Sequence, residues 1–153
     1  MFYYKYNTKI GEIYIAEEDE HIVKVSFSKI EAKEKKTGLI KLAYSQLCEY
    51  FDGKRKIFEL PLNLIGTEFQ QKVWKALKKI PYGSTCTYKD VAFKIGNPKA
   101  SRAVGMANNK NPIAIIIPCH RVIGKNGTLT GYAGGLKIKE ELLKLEADYI
   151  KLY

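Results

Sequence analysis

The chain is short of the residues from which metal sites and disulfide frameworks are made. Its 153 residues include only two histidines, His21 and His120, and three cysteines, Cys48, Cys86 and Cys119. None of the five stands at a paired ligand spacing, so neither a zinc site nor any other metal or cofactor site is expected. An odd, scattered set of cysteines is no disulfide framework either, and reduced thiols in a cytoplasmic protein are the expectation. Long apolar runs are also missing. The longest, Ile113 to Pro118, has the length of a strand, whereas a bilayer span takes about 20 residues, so no membrane association is expected. The N-terminal Met1-Phe2-Tyr3-Tyr4-Lys5 lacks a basic stretch leading into an apolar one and carries no secretory signal. There are no repeats, no low-complexity tracts and no Gly-rich phosphate loop. A hydrophobic content of 46 % excludes disorder, collagen and coiled coil.

One further scarcity is local. Residues 1–65 hold eleven lysines and arginines against ten carboxylates, whereas residues 66–153 hold fifteen against six. The second part therefore carries a net +9 of the total +10. Such a half fits a polyanion partner and equally a solvated lysine-rich surface.

Periodicity divides the chain at the same place. Phe2-Tyr4-Tyr6, Ile13-Ile15 and Val23-Val25-Phe27 alternate as strands of a small antiparallel meander. Ile40, Ala43, Tyr44, Leu47, Tyr50 and Phe51 mark one face of a helix that Gly53 stops. From Thr67 the pattern turns helical. Thr67 with Gln70 and Thr87 with Asp90 form capping boxes, the first ahead of an apolar stripe ended by Pro81, the second ahead of a helix closed by Gly96. Asn97-Pro98 then predicts a further helix running through Arg102 to about Ala107. Two short helices around Gly96-Asn97 make a helix-turn-helix candidate. Ile113 to Ile117 predicts a buried strand, Asn126-Gly127 a hairpin turn flanked by a short wing, and residues 136–149 a last helix. The fold class is thus α/β in the α+β sense: a structural N-terminal domain of sheet and helix over residues 1–65, then a helical C-terminal domain over 66–153 with a winged helix-turn-helix.

Chemistry concentrates in the second domain. Cys119 follows an apolar run and Pro118 and is adjacent to His120, a base able to ionise a thiol; Arg121 adds positive charge locally. Glu146 falls on the apolar stripe of the last helix, where a carboxylate is costly unless paired, and His120 is its best partner. The same residues also fit a blander reading, Cys119 as a small buried hydrophobe and Glu146 at the edge of the stripe. Tyr88 reads as a packing residue or an acid, Arg102 among small neighbours as a solvated arginine or a probe of another surface, and Asn111 before Pro112 as a turn residue. His21 is isolated and reads as a surface residue.

The segment Ile117-Pro118-Cys119-His120-Arg121-Val122-Ile123 resembles the active-site signature of the O6-alkylguanine-DNA alkyltransferases, the methylated-DNA–protein-cysteine methyltransferases. Pro81-Tyr82-Gly83, Thr87-Tyr88, Gly96-Asn97-Pro98-Lys99-Ala100, Arg102-Ala103-Val104-Gly105, Asn111-Pro112 and Tyr132-Ala133-Gly134-Gly135-Leu136 follow the order and spacing of that family. The resemblance implies DNA repair by transfer of a methyl or other alkyl group from O6 of guanine to Cys119, once per molecule and without a cofactor. It implies His120 as base through a water, Glu146 as the carboxylate orienting it, and Tyr88 as the acid for the departing guanine. Arg102 would enter double-stranded DNA from the minor groove, with Ser101, Ala103 and Gly105 beside it. Asn111, Pro118 and Val122 would support the active-site loop, and Tyr132, Ala133 and Gly134 would wall the guanine pocket. Ala133 departs from the serine frequent there, and the zinc ligands of some relatives have no counterpart. A monomer is expected. A non-catalytic lesion sensor and an unrelated cysteine hydrolase or thiol oxidoreductase are the alternatives; the presence of Cys119 argues against the first, and the basic half and absent C-x-x-C pair against the second.

Overall fold

A computed structural model describes residues 1–150. The chain forms two compact units: residues 1–64 joined by residues 112–116, and residues 65–111 with the chain from residue 117 onward.

In the first unit, β1 (Phe2–Thr8), β2 (Gly11–Glu18) and β3 (His21–Ser26) form the expected antiparallel meander. A two-residue strand, β4 (Lys33–Glu34), adds parallel to β1, so the sheet order is β3-β2-β1-β4. The inward residues Ile13, Ile15, Ile22, Val23 and Val25 are buried, as alternation requires of a half-buried sheet. Against the sheet lies α1 (Gly38–Phe51), which buries Ile40, Ala43, Leu47, Tyr50 and Phe51. Thr37 caps it by accepting from Ile40 N–H at 3.1 Å. The chain leaves it through Gly53, whose φ of +74° is the left-handed geometry that favours glycine. Tyr44 on this helix stacks on Tyr6, ring centroids 3.7 Å apart.

Residues 112–116 also belong to this unit, but not as a strand. Val25 N–H donates to the Pro112 carbonyl and Ala114 N–H to the Val25 carbonyl, each at 3.0 Å, and the pairing stops there. Ile115 has φ +71° and turns the chain away. That conformation is strained for a β-branched residue and persists only where packing over-determines it. Ile113, Ile115 and Ile117 are all 0–1 % exposed, which supplies that packing. Apolar composition alone predicted a strand because it registers burial, not backbone direction.

The second unit is built on α2 (Glu68–Lys78), α3 (Tyr88–Lys94), α4 (Ser101–Asn109) and α5 (Leu136–Tyr149). Both capping boxes form, with Gln70 N–H and Asp90 N–H each 3.1 Å from the threonine hydroxyl that caps its helix. The helix α4 starts at Ser101 rather than at Pro98: Asn97 to Ala100 is a single closed turn, with Ala100 N–H donating to the Asn97 carbonyl at 3.0 Å. Together α3 and α4 form the helix-turn-helix, and α2 packs on both. Val73, Trp74, Leu77, Val91, Ala92, Val104 and Ala107 are buried on these three helices, and Trp74 Nε1 donates to the Ala107 carbonyl at 2.9 Å.

The wing differs from expectation. Asn126 (φ 62°) and Gly127 (φ 77°) do make the tight left-handed turn that Asn-Gly favours. The strand before it, β6 (Val122–Ile123), pairs instead in parallel with β5 (Cys86–Thr87), just ahead of α3. Such a pairing joins residues far apart in sequence and leaves no local signal.

Candidate active site

Pro118 ends the apolar segment, and its carbonyl accepts from Arg121 N–H at 3.0 Å, closing a single 3-10 turn over Cys119–Arg121. Three consecutive side chains are buried on this turn, with Cys119 4 %, His120 0 % and Arg121 6 % exposed. Burying them demands partners.

Glu146, from the buried stripe of α5, supplies most of these. Its Oε2 lies 2.6 Å from His120 Nε2, and Arg121 donates to it twice, Nε to Oε1 at 2.8 Å and Nη2 to Oε2 at 3.0 Å. The Gly83 N–H adds a donor to Oε1 at 3.0 Å. Burial alone would raise this carboxyl, but the His120 and Arg121 contacts outweigh it and hold Glu146 at about 2. The group is therefore an anion that only accepts, so His120 must donate from Nε2 and keep its lone pair on Nδ1. Burial also pushes the imidazole below its ordinary 6.5. His120 is thus neutral near pH 7, with Nδ1 buried and without a hydrogen-bond partner among the described residues. Arg121 does not sit on the thiol: it is committed to Glu146 and, through Nη1 at 2.7 Å, to the Ile80 carbonyl.

The thiol of Cys119 is pushed up to about 11, chiefly by burial; a hydrogen bond from the Asn111 side chain and the nearby Lys139 ammonium act against the rise. Asn111 Nδ2 donates to the Ile117 carbonyl at 2.8 Å and Asn108 Nδ2 to the Cys119 carbonyl at 3.3 Å, so the backbone on both sides of Pro118 is held. Tyr132 is 8 % exposed. Its phenol is raised by burial and then by Cys119 and Glu146. Ala133 and Gly134 follow in a turn closed by Gly135 N–H on the Tyr132 carbonyl at 2.9 Å.

Lys139 is a residue of the centre that no sequence motif marks. The residue is 0 % exposed, and its Nζ donates to the carbonyls of Val122 at 2.6 Å and Thr130 at 2.9 Å. A signal for it was there: Lys139, Leu142 and Glu146 recur at helical spacing on one face of α5, and all three are buried.

Tyr88 opens α3, half-buried, with its Oη 2.7 Å from Thr130 Oγ1. A cavity of about 310 Å³ is lined by Thr87, Tyr88, Lys89, Ser101, Lys125 and Asn126. Arg102 and Ala103 are exposed on α4. Gly105 turns inward instead, where an added Cβ would lie 3.8 Å from the Tyr88 ring. Lys72, Lys75, Lys79 and Lys94 line a second, basic cavity of about 410 Å³ on the same unit. The structure thus gathers Cys119, His120, Glu146, Asn111 and Tyr132 about one buried centre, and puts Tyr88 and Ser101 on a cavity beside the exposed Arg102.

A helix-turn-helix with a basic surface, built into one unit with a buried cysteine, histidine and glutamate, has the make-up of a nucleic-acid-binding domain that carries a thiol beside a base. Residues 68–148 match the DNA-binding domain of 6-O-methylguanine DNA methyltransferase, and residues 1–64 match that enzyme's ribonuclease-like domain. The chain belongs to this family. It is 54 % identical to a methylated-DNA–protein-cysteine methyltransferase of Methanosarcina acetivorans, over 97 % of this chain and 99 % of the relative. It is 49 % identical to the constitutive one of Bacillus subtilis, over 95 % and 94 %. The crystal structure of Mycobacterium tuberculosis OGT in complex with DNA superposes with a TM-score of 0.91 at 44 % identity, covering 97 % of this chain and 94 % of that one.

Proposed function

We propose that Cys119 is the residue that accepts the alkyl group in this DNA repair methyltransferase. The observation that carries the assignment is the short His120–Glu146 pair, which points an unshared, buried imidazole nitrogen away from the carboxylate on the residue next to the thiol. Both the thiol and the imidazole are neutral at rest, so the thiolate arises only as the reaction draws on it. The thiol proton passes to His120 Nδ1 through a water, and Glu146 stabilises the imidazolium that results. Sγ attacks the alkyl carbon, the S–C bond forms, the C–O6 bond breaks, and its electron pair stays on guanine. Tyr88 hands a proton to the departing base. A thioether offers water no good leaving group, so each molecule reacts once.

In-line attack at O6 is impossible inside the stack, and the nucleotide must leave the duplex. In this reading Arg102 enters from the minor groove and fills the gap, with Ser101 and Ala103 giving close approach, which lowers the cost of unstacking. Tyr132, Ala133 and Gly134 wall the base, and Asn111, Pro118 and Val122 hold the loop. The protein acts as a cytoplasmic monomer, consistent with three free cysteines and with no described helix long and apolar enough to cross a membrane. The test is the intact mass of the protein after incubation with a duplex carrying one O6-methylguanine. One methyl per chain, absent in Cys119→Ser, supports the assignment; a methyl on the Cys119→Ser protein, or none on the wild type, refutes it.

A further inference from the structure

Thr130 lies outside every motif of the chain, yet three different neighbours hold it. Its carbonyl accepts from the buried Lys139 ammonium at 2.9 Å. Its methyl occupies the space over Gly124, where an added Cβ would come within 2.9 Å of Cγ2. Its hydroxyl, left with one direction to face, sits 2.7 Å from Tyr88 Oη. Gly105 of α4 faces the Tyr88 ring, where an added Cβ would lie 3.8 Å from Cδ1 and Cε1. Tyr88 thus lies against α4 and against a segment anchored from α5.

Two hydroxyls at this distance share one hydrogen bond, and either can donate. When Tyr88 donates, its hydrogen is spent on Thr130. When Thr130 donates, the phenol hydrogen is free to point into the cavity that Tyr88 lines. We propose that Thr130 is a positioning residue for alkyl transfer: with substrate bound its hydroxyl donates to Tyr88 Oη, releasing the phenol hydrogen to the departing guanine and stabilising the charge that then develops on the phenol oxygen. The proposal rests on the reading of Tyr88 as the acid. In proton terms the step is balanced. The Tyr88 hydrogen goes to guanine, the Thr130 hydrogen stays on Thr130 as the donor, and the phenol is reprotonated from solvent after the base leaves.

The experiment is single-turnover methyl transfer from a duplex with one O6-methylguanine, run on Thr130→Val, Thr130→Ser, Tyr88→Phe and the Tyr88→Phe/Thr130→Val double variant. Valine keeps the shape and removes the hydroxyl. The expected result is a slowing of roughly tenfold in Thr130→Val, the scale of one lost hydrogen bond in a transition state, with DNA affinity and melting temperature unchanged. Serine restores the rate, and the double variant is no slower than Tyr88→Phe alone. A merely structural role would give neither the serine rescue nor the non-additivity. Wild-type transfer in Thr130→Val beside a slow Tyr88→Phe overturns the inference and leaves the Tyr88 reading intact. Full additivity in the double variant overturns it too. Wild-type transfer in Tyr88→Phe takes down both.

Discussion

The two units bury different kinds of side chain. In the first, the sheet and α1 enclose mainly aliphatic and aromatic residues, with Glu17 of β2 as the one buried carboxylate. Its one buried amide, Gln46, is satisfied by a single backbone site, donating to the Glu59 carbonyl at 3.0 Å and accepting from Glu59 N–H at 2.9 Å. In the second, Asn108, His120, Arg121, Lys139 and Glu146 are all buried, and each touches Cys119 or a segment that holds it. Desolvating a charge is expensive unless it is paired, and the first unit does so once, at Glu17. The second unit does it repeatedly at one place. The proposed chemistry gives a reason for that concentration that cohesion alone does not.

Variants sharpen the contrast, and the largest effect belongs to the thiol. Cys119→Ser should abolish methyl uptake as read by intact mass while leaving affinity for undamaged duplex in place. Next comes Glu146→Gln, which strands Arg121 and His120. Removing one partner of a buried ion pair costs about 3–5 kcal/mol, so a clear drop in melting temperature should accompany the loss of transfer. Its acid behaviour follows from the same residue. Glu146 is lowered to about 2 from an ordinary 4.5, so the stability it confers is full above pH 4.5 and disappears as pH falls towards 2. In the variant that part of the acid transition should be missing from a pH–melting series.

Leu47→Ala, fully buried in the first unit, should lose about 2–5 kcal/mol of stability by opening a cavity, yet transfer by the folded protein should proceed at the wild-type rate in a single-turnover assay. A slowed rate there would break the division of labour between the units. Smaller still is Thr87→Ala at the cap of α3, worth about 1 kcal/mol in a denaturant titration. The pH profile of the wild type gives the gentlest probe. His120 is held below 6.5 and in the proposed mechanism must be neutral to accept the thiol proton, so transfer should stay flat from neutrality down through pH 6.5 and decline only at lower pH.

Much of this contrast was legible in the residues themselves. Strand alternation, both capping boxes and the last helix were visible because each is a local rule of spacing or hydrogen bonding. Glu146 was visible because a carboxylate on an apolar stripe needs a partner, and the structure supplies His120, Arg121 and the Gly83 N–H. Lys139 obeys the same rule at the same spacing but does not stand out in the sequence, since a long side chain usually carries its charge out to water. Thr130, the parallel pairing of β5 with β6 and the turn at Ile115 were not legible. Each depends on segments distant in sequence meeting in space, and neither propensity nor periodicity encodes that. Arg121 marks a subtler limit: proximity in sequence placed its charge on Cys119, while the geometry of a 3-10 turn sends it to Glu146.

The excursion of residues 112–116 bears on how such a chain can be cut and recombined. The segment leaves after Asn111, whose side chain reaches the thiol, docks on β3, and re-enters two residues before Cys119. A boundary drawn near residue 65 would therefore not release a self-contained cassette. The downstream fragment would keep Ile113 and Ile115 without the strand that shelters them, and the upstream fragment would leave both polar groups of the Val25 backbone unpaired. The sequence divides into two blocks at that boundary; the folded protein is sewn across it, and a graft that respects only the linear map would unpick the stitch beside Cys119.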